Sequence, residues 1–142
     1  MRDLLPIAYS SSRLFTKRAR HAIGLVLALT SMSAVADWQL RHSSSDADGY
    51  IDSGTVRRVG ENSQIWFLSD FRRPSKFGSS SLRILLENDC ALGRQRWLQT
   101  TEYSGPMGTG RTVSTSSSPE GWYYVSPGTT FESVLKFVCS EQ

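Results

Sequence analysis

Pro127-Gly128-Thr129-Thr130-Phe131-Glu132-Ser133-Val134-Leu135-Lys136-Phe137-Val138-Cys139 is the stretch where the apolar period of this 142-residue chain turns helical. Phe131, Val134, Leu135 and Val138 fall at i, i+3, i+4 and i+7, which places them on one helical stripe. Pro127-Gly128 breaks any preceding strand. Thr129 and Glu132 fit a capping box, in which the threonine oxygen takes the amide three residues on and the glutamate reaches back to the N-cap amide. The spacing predicts a short helix near Thr130 to Cys139. Such a helix is marginal in isolation, so it must lay its stripe on a partner surface.

That surface is read from the residues before it. Between Asp37 and Val125, turn chemistry recurs at short intervals: Ser43 to Gly49, Gly60-Glu61-Asn62, Pro74 to Gly78, Ser104-Gly105-Pro106 and Ser116 to Pro119. Short segments rich in β-branched and aromatic residues lie between. This rhythm predicts an antiparallel meander, because βαβ units need helical crossovers. The expected strands are Asp37 to Arg41, Gly49 to Val59 (broken at Asp52-Ser53-Gly54), Ser63 to Phe71, Leu82 onward, Arg94 to Tyr103, Gly110 to Thr115, and Trp122 to Val125 closing the sheet. Ile65-Trp66-Phe67-Leu68 is a continuous apolar run and suits a central strand covered on both faces. Leu82, Ile84 and Leu86 alternate with Arg83, Leu85 and Glu87, giving one mainly apolar face.

The chain has two cysteines, Cys90 and Cys139. Cys90 shares the parity of Leu82, Ile84 and Leu86, and Cys139 sits one turn beyond Leu135. Each thus lies on the apolar side of its own element. One bridge between them would clamp the helix across the sheet. Two buried free thiols are an alternative. A metal site is another, but with His42 as the single histidine after residue 36 it falls a ligand short of tetrahedral. The expected fold class is α+β: a single curved antiparallel sheet of about six strands, with a C-terminal helix tethered to one face by a disulfide.

Export is expected from the first 36 residues. A basic patch from Arg13 to Arg20 precedes the apolar run Ala22 to Leu29, which is too short to span a bilayer, and Ala34-Val35-Ala36 forms a small-x-small cleavage signal. Residues 1–36 therefore read as a secretory signal peptide and 37–142 as the mature domain. No cysteine stands at the cleavage point to carry a lipid, so no membrane anchor is expected after cleavage. The formal charge of +3 is a property of the leader: from Asp37 onward there are 11 Lys and Arg against 12 Asp and Glu. The mature domain has no electrostatic basis for holding a nucleic acid. The expected place is the periplasm or the medium.

Catalytic groups are sparse. There is no Gly-x-Ser-x-Gly elbow and no His-Glu-x-x-His, and His42 sits beside a Ser/Asp-rich turn, where it reads as a solvated loop residue. Asp46/Asp48 and Glu87/Asp89 read as turn and edge solvation rather than as a general acid and base. Ser44 to Thr55 resembles a calcium loop but lacks Asp at its first position and has Thr55 where a bidentate Glu is needed, so it reads as an Asp-Gly turn. Gly105 to Gly110 has no Gly-Lys-Ser/Thr ending and reads as a flexible hairpin loop. No enzyme, metal site or required cofactor is expected.

The aromatics are the more informative set. Trp38, Trp66, Trp97 and Trp122 fall in expected strands. Aromatics left on the face away from the helix, or beside it in a groove, would with Arg57, Arg58, Arg94 or Arg96 make a binding surface. Tyr103, and Trp122-Tyr123-Tyr124, are its candidates. The reading is a non-enzymatic exported binding module with a protein partner. The alternative is a periplasmic accessory or inhibitor protein acting on an envelope partner.

Three blocks add a resemblance. Tyr50-Ile51-Asp52, Thr55-Val56-Arg57-Arg58, Gly60, Ile65-Trp66 and Asp70-Phe71 form the first; Asn88-Asp89-Cys90 and Arg96 the second. Tyr103-Ser104, Met107-Gly108-Thr109-Gly110, Trp122, Val125-x-Pro127-Gly128-Thr129 and Val138-Cys139 form the third. In this order they resemble the surface-adhesin protein E family of Gram-negative bacteria. The resemblance implies a helix disulfide-tethered to the concave face of an antiparallel sheet. It also implies binding of host matrix proteins such as vitronectin and laminin, and of haem through a dimer. Only Cys90 and Cys139 match that family's functional positions residue by residue.

Overall fold

The computed structural model describes residues 36–140; the expected signal peptide lies almost wholly outside them. Seven strands form one antiparallel sheet: β1 (Trp38–Ser43), β2 (Ala47–Val59), β3 (Asn62–Phe71), β4 (Ser81–Asp89), β5 (Arg94–Tyr103), β6 (Thr112–Ser116) and β7 (Tyr123–Tyr124). The spatial order β1-β2-β3-β4-β5-β6 follows the chain, so the sheet is a meander; its connections fall at turns marked by the sequence except that between β4 and β5, at residues 90–93, which was not marked. Helix α1 (Thr130–Ser140) ends it.

The alternation of β3 and β4 decides where the core sits. Ile65 pairs with Leu86 and Phe67 with Ile84, so these four point to the same side. With Ile51 they are buried against Val134 and Val138 of α1. Phe131 enters an aromatic group, its ring centroid 5.3 Å from Phe67, 5.9 Å from Trp97 and 6.3 Å from Tyr123. A polar row closes the same layer: Gln95 Nε2 donates to Asn88 Oδ1 (2.6 Å) and to the Phe131 carbonyl (3.2 Å), and Asn88 donates to the Ser63 carbonyl. Buried amides need such partners, and here they tie the helix backbone to the sheet. Cys90 and Cys139 are joined, with their Cα atoms 5.7 Å apart. The bridge leaves no free cysteine among the described residues. The helix and its tether stand where they were expected; of the stripe, Phe131, Val134 and Val138 pack on the sheet, joined by Phe137 rather than by Leu135.

Several local expectations are corrected. The Glu132 carboxylate does reach back, but to the Gly128 amide (2.8 Å), one residue before the N-cap, while Thr129 Oγ1 accepts from the Glu132 amide. Strand β2 is continuous through Asp52-Ser53-Gly54. Its pairing with β3 instead slips between Asp52 and Arg57, and Thr55 Oγ1 accepts the Trp66 amide that the slip would leave unpaired (3.1 Å). Asp48-Gly49 belongs to β2 rather than to a turn, because Gly49 lies beneath the helix start, where a Cβ would come within 2.5 Å of Thr130 Cγ2. His42 is a half-buried β1 residue opposite Gly49, not a loop residue. The last strand shrinks to Tyr123–Tyr124 and pairs with the start of β5, since β6 takes the far half of the same edge. Trp122 lies just outside it.

Candidate functional site

With α1 on one face, the other face of the sheet carries the alternate side chains. Trp66 and Leu68 come from β3, Arg83, Leu85 and Glu87 from β4, and Arg94, Arg96 and Tyr103 from β5. Tyr103 is there because of a bulge. Leu86 pairs with Trp97 but Leu85 with Gln99, so Leu98 is an extra residue in β5. One inserted residue inverts every later side chain. Trp97 therefore joins the helix-side core, while Tyr103, six residues on, points away from it.

Arginines and aromatics interleave on this face. The Arg83 guanidinium lies 4.6 Å from the Trp66 ring centroid and 5.9 Å from that of Tyr103. Arg94 and Arg96 stand 4.8 and 4.6 Å from the Trp122 ring. Such contacts contribute about 0.5–1 kcal/mol each at exposed positions, and they fix the orientation of both partners. Arg96 is held by Glu87 (2.6 Å) and Arg94 by Asp89 (2.9 Å), each directly across the β4–β5 ladder. Burial pushes the Asp89 carboxyl up. The hydrogen bonds from Arg94 and the Leu92 and Ala91 amides, together with the Arg94 charge, outweigh it, so the group sits below the ordinary carboxylate range. Arg57 donates to Gln64 Oε1 (3.0 Å).

The segment read as a flexible hairpin loop is tied down on this face. Asp70 Oδ1 accepts the Met107 amide (2.6 Å), Ser81 Oγ accepts the Gly108 amide (2.9 Å), and Ser81 donates to the Gly105 carbonyl. Pro106–Gly108 is one turn of 3-10 helix with Met107 at φ +52°, a left-handed conformation that these three bonds hold in place. The turn covers Leu68, which is fully buried. Beyond it the face opens into a shallow hollow of about 340 Å³ lined by Gly54, Thr55, Val56, Arg57, Trp66 and Leu85.

The four aromatics singled out by sequence divide. Trp122 and Tyr124 share the arginine face near the start of β5, Tyr124 being 72% exposed, and Tyr103 lies at the other end of that strand. Tyr123 is excluded from it. Its partner Gln95 points to the helix side, its hydroxyl accepts from Trp97 Nε1 (2.8 Å), and burial pushes its phenol above the usual tyrosine value. Arg83 was missed. The Leu82-Arg83-Ile84 alternation signals that it faces away from the core, but only the strand register brings it to Trp66 and Tyr103.

Among the described residues no group of three His, Cys, Asp or Glu could hold a metal ion. His42 and Met107, the histidine and methionine available to a haem of the kind the family resemblance implies, do not share a site within one chain: His42 lies on the helix side opposite Gly49, whereas Met107 lies on the far face beside Leu68. No helix among the described residues is long and apolar enough to cross a membrane.

Comparison with known proteins agrees with this architecture. The family model described as surface-adhesin protein E matches residues 38–140. A crystal form of Haemophilus influenzae protein E is similar at a TM-score of 0.56 and 15% identity, covering 71% of this chain and 92% of that one. A structure of protein E from non-typeable Haemophilus influenzae gives 0.54 and 13%, covering 77% and 79%. At this identity the structural likeness is one of fold. No curated protein matches the sequence.

Proposed function

We propose that this chain, which belongs to the surface-adhesin protein E family, engages a protein partner through the sheet face opposite its helix. As a member of that family it is a non-enzymatic, adhesin-like binding module. The observation that carries the choice of face is the Trp66–Arg83–Tyr103 stack, set in the middle of an open sheet surface rather than under the helix. Aromatic and arginine side chains fixed in place bind with little further loss of side-chain freedom, and they are the residue types that dominate protein interfaces. On the helix side the central apolar residues Ile51, Ile65, Phe67, Ile84 and Leu86 are buried beneath α1. In this reading residues 1–36 direct export and are removed, and the module acts in the periplasm or outside the cell. Host matrix proteins such as vitronectin and laminin are the partner class that the sequence resemblance suggests.

The test is saturable binding of the domain from Asp37 onward to immobilised vitronectin and laminin, compared with its Trp66→Ala/Tyr103→Ala variant. Loss of at least about tenfold in affinity in the variant supports the face. Equal binding by both overturns it. Recovery of one stoichiometric envelope enzyme from periplasm, with no matrix binding, would favour the accessory or inhibitor role instead.

A further inference from the structure

Arg83 differs from its neighbours on the same face. Arg94, Arg96 and Arg57 each have a carboxylate or amide partner on the neighbouring strand: Asp89, Glu87 and Gln64. Arg83 forms no ion pair among the described residues, and its Nε is buried without a hydrogen-bond partner there. Its cross-strand neighbours, Leu68 and Thr101, are neutral. Of the carboxylates on this face, Asp70 is engaged by the Met107 amide and Glu87 by Arg96, while Asp52 stands across Trp66, two strands from Arg83, and forms no ion pair with it. A guanidinium held against Trp66 and Tyr103 has lost part of its water without gaining an anion. With Nε buried, the two Nη groups are left as the fork for an incoming carboxylate.

We propose that Arg83 anchors an Asp or Glu side chain on an extended segment of a protein partner, with an apolar neighbour of that residue lying over Trp66 and Leu85 in the adjoining hollow. The proposal rests on the reading of this face as the binding surface and adds what it recognises. A segment is favoured over a free small acid because the hollow is shallow and open, whereas small ligands need enclosure over most of their surface. A sulfated or phosphate polymer is disfavoured because it needs a row of uncommitted cations, and the other three arginines named are already bonded.

The experiment follows the arginine Nε–H resonances of the domain from Asp37 onward during titration with two blocked peptides, Ac-Gly-Glu-Phe-Gly-NH2 and its Gln twin, and with N-acetylglutamate. The Arg83 resonance is expected to shift saturably with the Glu peptide, and the Gln twin to require at least about tenfold more. Arg83→Gln is expected to abolish the response. Arg83→Lys, which keeps the charge and the fold but not the planar fork, is expected to weaken it by about tenfold. Equal titration by the Glu and Gln peptides overturns the proposal, as does unchanged binding in Arg83→Gln. N-acetylglutamate binding as tightly as the peptide also overturns it, by making the occupant a small acid. Failure here, with matrix binding still sensitive to Trp66 and Tyr103, would remove the carboxylate and leave the face.

Discussion

Replacing both cysteines by alanine (Cys90→Ala/Cys139→Ala) removes a covalent bond without deleting any fully buried apolar side chain. The sulfurs join residues 49 apart, closing a loop of 50 residues counting both ends. In the chain-entropy model such a loop restricts the unfolded ensemble enough to stabilise the fold by about 4 kcal/mol. The native arrangement has other support. Val134 and Val138 are 0% exposed, and burying each contributes about 1.5–3 kcal/mol. Phe131 is packed among three aromatic rings, and Gln95 bonds its carbonyl. The helix should therefore stay docked in the variant, while the unfolded chain becomes freer. Equilibrium unfolding in urea checks this. At a slope of about 2 kcal/mol per molar, the midpoint should fall by about 2 M. The slope itself should rise, because an unlinked chain exposes more surface. Resonances of Phe131 and Trp97 in the native variant should stay close to those of the parent. A stability loss below about 1 kcal/mol would refute the entropic account. Disordered helix resonances without denaturant would show that the bond, and not the apolar stripe, holds α1 in place.

Three further outcomes are expected. Gly49→Ala forces a methyl to within 2.5 Å of Thr130 Cγ2 and 3.2 Å of the Phe67 ring. It should cost about 1–3 kcal/mol in urea unfolding, and Thr130→Ser should restore most of the loss by deleting the opposing carbon. The Glu132 carboxyl is held below its ordinary value of 4.5 by Lys136 and by the Gly128 amide. A depressed folded value adds stability above the unfolded one and loses it as pH falls through the folded one, so the melting-temperature gap between the parent and Glu132→Gln should be present at pH 7 and close as pH falls below 4.5 and through the folded value. Burial raises the Tyr123 phenol above 10.0, so its contribution is complete below that pH and lost as pH rises through the folded value. Tyrosinate absorbance should show one phenol titrating late, and Tyr123→Phe should remove it.

The period of Phe131, Val134 and Val138, and the alternation of Leu82, Ile84 and Leu86, were enough to specify a helix lying on a sheet. A stripe that cannot face water has to find an apolar surface, and the β-strands supply the only one of matching width. The parity of Cys90 and the position of Cys139 then point to the tether. These are local properties, carried by spacings of a few residues along the chain. Which aromatics meet which arginines is not local. Trp97 and Tyr103 have the same parity, and only the extra residue at Leu98 sends them to opposite faces. Tyr123 and Trp122 are adjacent, yet one is sealed against Phe131 and the other lies over Arg94 and Arg96. Gly49 looks like a turn residue until the helix start is set on top of it. Short-range period was enough for the helix, the central strands and the sides on which the two cysteines lie, and the structure then shows the bond between them. Which aromatics and arginines share the face opposite the helix was left to the tertiary fold, because register and bulges are settled by how neighbouring strands bond, and one slipped residue exchanges inside for outside.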